Sequence, residues 1–339
     1  MEKQLLKRYS RQIRFAPIGE KGQRALLQKT VLVVGVGALG TVIANHLVRS
    51  GVGRVRIVDR DYVELSNLQR QMLFDERDVE ESVPKAVAAE RKLRAINSSV
   101  KVEGIVADVT SATIHELICD VDLVIDGTDN FETRFLLNDI CFKEGIPFVY
   151  GGAVSARGMT ALFIPGKTPC LRCFINEGGG RGETCDTVGV ISPVVDIVAS
   201  YQVVEALKWL VGDEEALRPS LRSFDVWKNE QIDIRFSEPN RSCPTCVLKQ
   251  YPALSATRAE VTTLCGRETV QISSGERFDL NEWEEKLGRV ATVKKTPFLL
   301  RVELQEGERL VLFPDGRVLV QGTEDITRAR TLYSKYIGN

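Results

Sequence analysis

Val31-Leu32-Val33-Val34-Gly35-Val36-Gly37-Ala38-Leu39-Gly40 runs from an unbroken apolar stretch straight into a glycine loop. Four consecutive apolar residues with no polar alternation predict a strand buried on both faces, as in a parallel sheet. Val42, Ile43, Leu47 and Val48 follow at helical spacing. Strand, Gly-x-Gly-x-x-Gly and helix, in that order, make a phosphate-binding turn. Glycine lets the backbone approach a ligand, and the helix N-terminus offers unpaired N–H groups to an anion. Asp59 stands nineteen residues past Gly40, at the end of the next apolar run, where a carboxylate can accept from ribose hydroxyls. A glycine turn that serves tight packing alone is the alternative.

Outward from this turn the alternation continues. Val55–Val58 and Leu123–Ile125 read as further strands, and Ala86, Ala89, Leu93 and Ile96 as a helix with Ser82 at its N-cap and Pro84 in its first turn. Strands alternating with helices over short connections define a doubly wound, Rossmann-like α/β fold with a mostly parallel sheet. After Tyr150 come a strand at Met159–Ile164, a glycine-rich stretch at Gly166–Gly189, and a helix from Ser192 to Leu210 stopped by Gly212. Ile232, Ile234 and Phe236 alternate as in a half-buried strand. Pro244, Pro252 and small polar residues mark a boundary, with a linker at 250–257. Residues 258–339 read as a small α+β domain: a helix at 280–287, strands at Pro297–Leu304 and Leu310–Phe313, an Asp315-Gly316 hairpin turn into Val318–Val320, and a helix near Glu324–Tyr336.

Composition excludes other classes. With 43% apolar and 27% charged residues, the 339-residue chain can bury a sizeable core and is not a disordered chain. A formal charge of −1 leaves no global basic field, so no nucleic-acid partner is expected. The longest apolar stretches, broken by Gly or Pro, fall short of a membrane span, and Met1-Glu2-Lys3-Gln4 opens no apolar signal region. Eight cysteines, four of them in two Cys-x-x-Cys pairs, point to a reducing cytoplasm and a metal rather than to a disulfide scaffold.

Three residues favour a triphosphate over a dinucleotide on the glycine loop. Lys85 falls in the first turn of a helix, where the macrodipole disfavours a cation unless an anion lies nearby; a solvated surface lysine is the alternative. Arg70 closes Asp59-x-Asp61…Ser66-Asn67-Leu68-Gln69-Arg70, on the segment leaving the second strand. Asp129, in Asp126-Gly127-Thr128-Asp129-Asn130, follows a strand at the carboxyl edge of the sheet, where it can hold Mg²⁺ near phosphates. It is equally placed to cap the helix at 131–144, and the residues alone leave the two roles level.

Cys170-Leu171-Arg172-Cys173 and Cys243-Pro244-Thr245-Cys246 supply two thiolates each, enough to close a tetrahedral Zn²⁺ site with no open position for catalysis. A redox dithiol would explain one pair but not two. Cys185, outside both pairs and near Arg181, is either an ordinary free thiol or a nucleophile. Cys119, Cys141 and Cys265 read as core residues, and two histidines without a partner pattern give no support to a Ser-His-Asp triad.

Together these segments resemble the ThiF/MoeB/HesA family, prokaryotic relatives of ubiquitin-activating enzymes, over roughly residues 5–250. The resemblance rests on Arg8-Tyr9-Ser10-Arg11-Gln12-Ile13, the glycine loop, Asp59-x-Asp61, Ser66–Arg70, Lys85, Gly127–Asn130, both cysteine pairs, and Cys185 ahead of Gly189-Val190. It implies an adenylation domain over 1–249 that activates the C-terminal glycine of a ubiquitin-like sulfur carrier protein ending in Gly-Gly, using Mg-ATP and releasing pyrophosphate. It assigns Asp59 to the ribose, Asn67, Arg70 and Lys85 to the phosphates, and Asp129 to Mg²⁺. Gly35, Gly37, Ala38, Gly40, Asp61, Ser66, Leu68, Gln69 and Asn130 complete the nucleotide site. Arg11 would reach a partner subunit's nucleotide, which implies a homodimer. Cys185 matches the cysteine that some members use for thioester, disulfide or persulfide chemistry. Ala38 replaces a further glycine found in several relatives, at a position of backbone contacts only. The C-terminal stretch does not resemble the sulfur-transfer domain some relatives carry, so a separate sulfur donor is expected.

An NAD-dependent oxidoreductase would account for the glycine loop and Asp59 but leaves Arg70, Lys85 and the cysteine pairs without a task. A catalytically silent scaffold subunit is opposed by the retention of Arg11, Arg70, Lys85 and Asp129.

Overall fold

The computed structural model describes residues 7–175, 185–255, 261–264 and 268–338. The chain divides into two compact units, one of residues 1–80 with 84–256 and the other of residues 81–83 with 257–339.

The first unit is built on an eight-stranded sheet. Its strands are β1 (Thr30–Val34), β2 (Arg54–Asp59), β3 (Lys101–Val106), β4 (Leu123–Asp126), β5 (Phe148–Val154), β6 (Arg157–Phe163), β7 (Ser220–Asp225) and β8 (Glu230–Arg235), in the order β3-β2-β1-β4-β5-β6-β7-β8. β3 through β5 pair in parallel and β5 through β8 pair antiparallel. The apolar run predicted as a doubly buried strand is one: Val31, Leu32, Val33 and Val34 are all buried in β1, the inner strand between β2 and β4. Alternate residues face opposite layers. Leu32, Val34 and Val124 join Phe135, Leu136, Leu137 and Ile140 of the helix Phe131–Glu144 in one core. Val33 lies toward the helix Ala38–Ser50, since a Cβ on Gly40 would sit 3.7 Å from Val33 Cγ1. Burying β1 from both sides fixes the register of the loop that leaves it.

Several boundaries differ from the sequence reading. The helix Lys85–Ile96 starts after Pro84 at the N-cap position, not after Ser82. Ser82 is buried with φ 52°, a left-handed conformation incompatible with a cap that leads into a helix two residues later. β8 forms where Ile232 and Ile234 alternate, but all six of its residues are exposed, so it is not half-buried. An edge strand has a neighbour on one side only, and the described residues bury neither of its faces. β3 carries no strand signal of its own, because Lys101-Val102-Glu103-Gly104 sets charged residues along a parallel edge strand. Cys119 is exposed rather than core, whereas Cys141 is buried as expected; Cys265 lies outside the described residues.

The second unit is a six-stranded antiparallel sheet in the order β11-β12-β13-β14-β10-β9, from β9 (Val261–Leu264), β10 (Thr269–Ser273), β11 (Thr292–Lys295), β12 (Leu300–Glu303), β13 (Arg309–Leu312) and β14 (Arg317–Gln321). Asp315-Gly316 turns β13 into β14 as its sequence predicts, with Gly316 at φ 90°. The helices Leu280–Leu287 and Ile326–Tyr336 contribute Leu287, Ala329 and Leu332 to its core.

Candidate nucleotide crevice and cysteine cluster

Strand order reverses between β1 and β4, both of which run toward the same edge of the sheet. That switch point is where open α/β sheets bind ligands. Gly35–Gly37 leaves β1 and Gly127–Asn130 leaves β4 at this edge. The two loops touch through their glycines. A Cβ on Gly35 would fall 2.8 Å from Gly127 O, one on Gly127 2.4 Å from Gly35 O, and one on Gly40 only 1.8 Å from Gly35 O. Backbone packing therefore dictates Gly35, Gly40 and Gly127. Gly37 is different: its Cβ would meet nothing closer than Gln71 Nε2 at 3.7 Å. The packing reading of the glycine turn thus holds for Gly35 and Gly40, while packing leaves Gly37 open to the phosphate reading. Gly37 is the N-cap of the helix Ala38–Ser50, and no side chain caps that helix. Its first N–H groups point toward the crevice, as an anion seat requires.

Asp59 ends β2 beside this loop. Its Oδ2 accepts from Val36 N–H at 2.7 Å and its Oδ1 from Asp61 N–H at 2.8 Å, which orients the carboxylate and ties the β1 and β2 loops together. Desolvation pushes the Asp59 pKa above the usual carboxylate range, against the pull of the Lys85 ammonium. Lys85 is the first residue of its helix and is buried. Lys85 N–H donates to the Asp61 carbonyl at 2.9 Å, and Nζ lies 3.3 Å from Asp61 Oδ2. The surface-lysine alternative is thereby removed: the ammonium is drawn in next to the carboxylates rather than out into water.

Asn67 closes a single 3₁₀ turn, Leu65–Asn67. Its Oδ1 accepts from Glu64 N–H at 3.0 Å, half of a reciprocal capping box with the Glu64 side chain. Arg70 follows, half-buried, with Nη1 donating to Ser66 O at 3.1 Å, while Ser66 and Gln69 are exposed. Gln71, for which the sequence offers no signal, is buried beside Gly37, and its Oε1 has no partner among the described residues.

On the β4 side, Asn130 caps the helix Phe131–Glu144, its Oδ1 accepting from Thr133 N–H at 2.9 Å. The cap is therefore not Asp129, which is exposed just before it. Beneath the loop, buried Asp126 accepts from Thr128 N–H (2.9 Å), Thr128 Oγ1 (2.7 Å) and Arg134 Nε (3.0 Å). Arg134 Nη2 also donates to Thr128 O and Gly151 O. Burial pushes the Asp126 carboxyl upward, and the Arg134 guanidinium opposes it. Sequence could not announce this pair, because its spacing in i, i+8 matches no motif.

Arg11 does not join the crevice of its own chain. It is exposed on the short helix Ser10–Ile13. Gln12 Nε2 donates to Ser50 O at 3.0 Å, and Tyr9 packs on Gly51, whose Cβ would fall 2.4 Å from the ring. Those contacts are at the C-terminal end of the helix Ala38–Ser50, a helix about 20 Å long whose other end is the glycine loop.

The four paired cysteines come together as the spacing predicts. Their sulfur atoms all lie within 4.8 Å of one another, with Cys170 Sγ 3.5 Å from Cys243 Sγ and Cys173 Sγ 3.4 Å from Cys246 Sγ. A tetrahedral ion with Zn–S bonds near 2.3 Å separates its sulfurs by about 3.8 Å, so the cluster is able to hold a metal. The Cys185 side chain and Arg181 lie outside the described residues; residues 185–188 form a single helical turn.

A doubly wound sheet with an uncapped glycine loop at its switch point, opposed acidic and basic groups beside it and a tetracysteine site defines a Rossmann-like α/β protein with a crevice at the edge where such sheets bind ligands. The chain belongs to the ThiF family, which it matches over residues 9–245. It is 49% identical over 336 residues to the sulfur carrier protein ThiS adenylyltransferase of Bacillus subtilis (strain 168), covering 98% of this chain and 99% of that protein. Escherichia coli (strain K12) supplies two relatives at 34% identity over 240 residues, a sulfur carrier protein ThiS adenylyltransferase and a molybdopterin-synthase adenylyltransferase. Each covers 70% of this chain, and 94% and 95% of the relative respectively. Among solved structures, E. coli MccB with succinimide shares the fold at a TM-score of 0.62 and 23% identity, over 70% of this chain and 74% of that one. Among the described residues no helix is long and apolar enough to cross a membrane.

Proposed function

We propose that this chain adenylates the C-terminal glycine of a ubiquitin-like sulfur carrier protein, consuming ATP and releasing pyrophosphate. The carrier carboxylate attacks the α-phosphorus, the bond to the β-phosphate oxygen breaks, and pyrophosphate leaves. The observation that carries this reading is buried Lys85, held by Asp61 at a helix N-terminus beside an uncapped glycine loop. A polyanion repays the cost of placing a cation there. The names of relatives that span the fold agree. A relative matched over 98% of this chain is named for ThiS, so the thiazole carrier is the first substrate to test and the molybdopterin carrier the second.

In this reading the backbone of Gly35, Gly37, Ala38 and Gly40 seats phosphate and Asp59 takes the ribose. Asp61, Ser66, Leu68 and Gln69 line the segment that presents Asn67 and Arg70 to the phosphates with Lys85. Asp129, with Asn130 behind it, addresses Mg²⁺, whose charge would offset that of the triphosphate. Cys170, Cys173, Cys243 and Cys246 hold a structural zinc ion, since four sulfur donors and no open position suit Zn²⁺. Arg11 serves the crevice of a partner subunit, so the active form is a homodimer. Cys185 accepts sulfur chemistry downstream of adenylation. The sulfur comes from a separate donor: the one cysteine of residues 258–339 is Cys265. We place the protein in the cytoplasm, where thiolate ligands stay reduced.

The test is carrier-dependent exchange of labelled pyrophosphate into ATP. The parent should exchange with a carrier ending in Gly-Gly, Arg70→Ala should lose exchange while remaining folded, and Cys185→Ala should exchange normally yet fail in sulfur delivery. Binding of NADH in place of ATP, with no exchange for any carrier, overturns the reading.

A further inference from the structure

A buried polar cluster away from the crevice centres on Asp139, in the middle of the helix Phe131–Glu144. Its carboxylate accepts hydrogen bonds from Asn138, Arg172, Thr245 and Ala253. Arg172 reaches it in a two-pronged pair, Nε to Oδ1 and Nη2 to Oδ2, both at 2.9 Å. Thr245 Oγ1 donates to Oδ1 at 2.5 Å, Asn138 Nδ2 to Oδ1 at 3.1 Å, and Ala253 N–H to Oδ2 at 2.9 Å. Arg172 and Thr245 are not arbitrary residues: each sits between the two cysteines of a Cys-x-x-Cys pair. Leu171 N–H, inside the first pair, donates to Asn138 Oδ1 at 2.9 Å. The Arg172 guanidinium also lies over the Phe135 ring, 4.5 Å from its centre, which adds to the hold of the paired hydrogen bonds.

Two knuckles seventy-three residues apart have no reason to converge on their own. Closing that loop costs chain entropy, and gathering thiolates adds like-charge repulsion until a cation arrives. Taking the four cysteines as a metal site, we propose that Asp139 is the positioning residue that assembles it. Asp139 binds one inner residue from each knuckle to a single carboxylate, so the four sulfurs stand in one tetrahedral set before the ion enters. Outer groups that orient metal ligands commonly change affinity 10–100-fold when removed. Asp139 differs from the usual outer group in touching no ligand directly. It acts through the backbone on either side of Arg172 and Thr245, and it joins both halves of the site at once.

The full chain, stripped of metal by a chelator under reducing conditions, is titrated with Co²⁺ while thiolate-to-cobalt absorption is followed, and Zn²⁺ affinity is then read by competition. Thr245→Val should bind Co²⁺ about 10–100-fold more weakly than the parent, with Thr245→Ser, which keeps the hydroxyl, close to the parent. Asp139→Asn should weaken binding at least as much. Thr245→Val, a near-isosteric change, guards against the case in which Asp139→Asn does not fold. A Thr245→Val protein that is less resistant to urea but binds Co²⁺ as the parent does overturns the positioning role and leaves the metal site standing. A parent that gives no thiolate-to-cobalt band overturns the metal site itself.

Discussion

Asp61 holds Lys85 at both ends: its carbonyl accepts the Lys85 backbone N–H at 2.9 Å, and its Oδ2 lies 3.3 Å from Nζ. The lysine is thus fixed at the first position of a helix, where the dipole opposes it, and Asp59 stands within its field. A cation kept in an unfavourable place by a dedicated carboxylate is set up for a ligand more negative than either aspartate.

Lys85→Met follows directly from that pairing. Pyrophosphate exchange should fall about 10²–10³-fold, the scale for removing one preorganised donor to the charge that develops in a transition state. Stability should change with pH as well. Asp59 has a native pKa raised by burial, so the folded state holds its proton to higher pH than the unfolded chain does. The group therefore subtracts stability as pH rises through that window. Removing the ammonium that opposes the rise widens the window upward. The difference in urea midpoint between parent and Lys85→Met should be small near pH 4 and grow toward pH 7; a difference independent of pH contradicts the coupling.

The glycine loop separates folding from binding within six residues. Gly40→Ala would drive a Cβ to 1.8 Å from Gly35 O, backbone against backbone, and should cost about 3 kcal/mol or more. Gly37→Ala meets only an ordinary contact with Gln71 and should stay folded while losing nucleotide affinity. Thermal melts and equilibrium ATP binding on the two variants give opposite orders of damage. Normal ATP affinity in Gly37→Ala would show that phosphate does not sit on this turn.

Much of this arrangement was legible in the sequence. β1, its glycine loop and the four cysteines were readable because doubly buried strands and metal knuckles leave contiguous, local signatures. Other features were not. Lys101–Val106 is a strand whose polar composition reflects its place at the sheet edge, which only its pairing with β2 reveals. Asp126 with Arg134, and Asp139 with Arg172 and Thr245, are joined across turns and across a hundred residues by burial alone. The Ser82 cap failed for a local reason: Pro84 already fixes the entry to the helix, and Ser82 turns the chain before it.

Asp129 and Asn130 are neighbours with separable tasks. Asn130 caps its helix through Thr133 N–H, so Asn130→Ala should cost about 1 kcal/mol of stability. Asp129 is exposed and is not the cap, though buried Arg134 feels its charge, so Asp129→Asn should cost less stability than Asn130→Ala, on the order of 0.5 kcal/mol. It should nevertheless abolish Mg²⁺-dependent exchange. An Asp129→Asn protein with full exchange at limiting Mg²⁺ removes this residue from the site.

Arg11 provides the sharpest check on assembly, because its place in the fold argues against a role at home. The contacts of Tyr9 and Gln12 with Gly51 and Ser50 pin its helix to the end of Ala38–Ser50 that faces away from the loop. A side chain reaching about 7 Å from its backbone does not span a helix about 20 Å long. If Arg11 serves the neighbouring subunit, Arg11→Ala and Lys85→Met should each be inactive alone. After unfolding, mixing in equal amounts and refolding, half of the dimers carry one of each chain. In those, the crevice that keeps Lys85 receives Arg11 from the Lys85→Met subunit. Two-fold symmetry then sets the expected recovery at about one quarter of parental exchange. Arg11 acting within its own chain would leave every crevice in the mixture with one defect, and no activity would return.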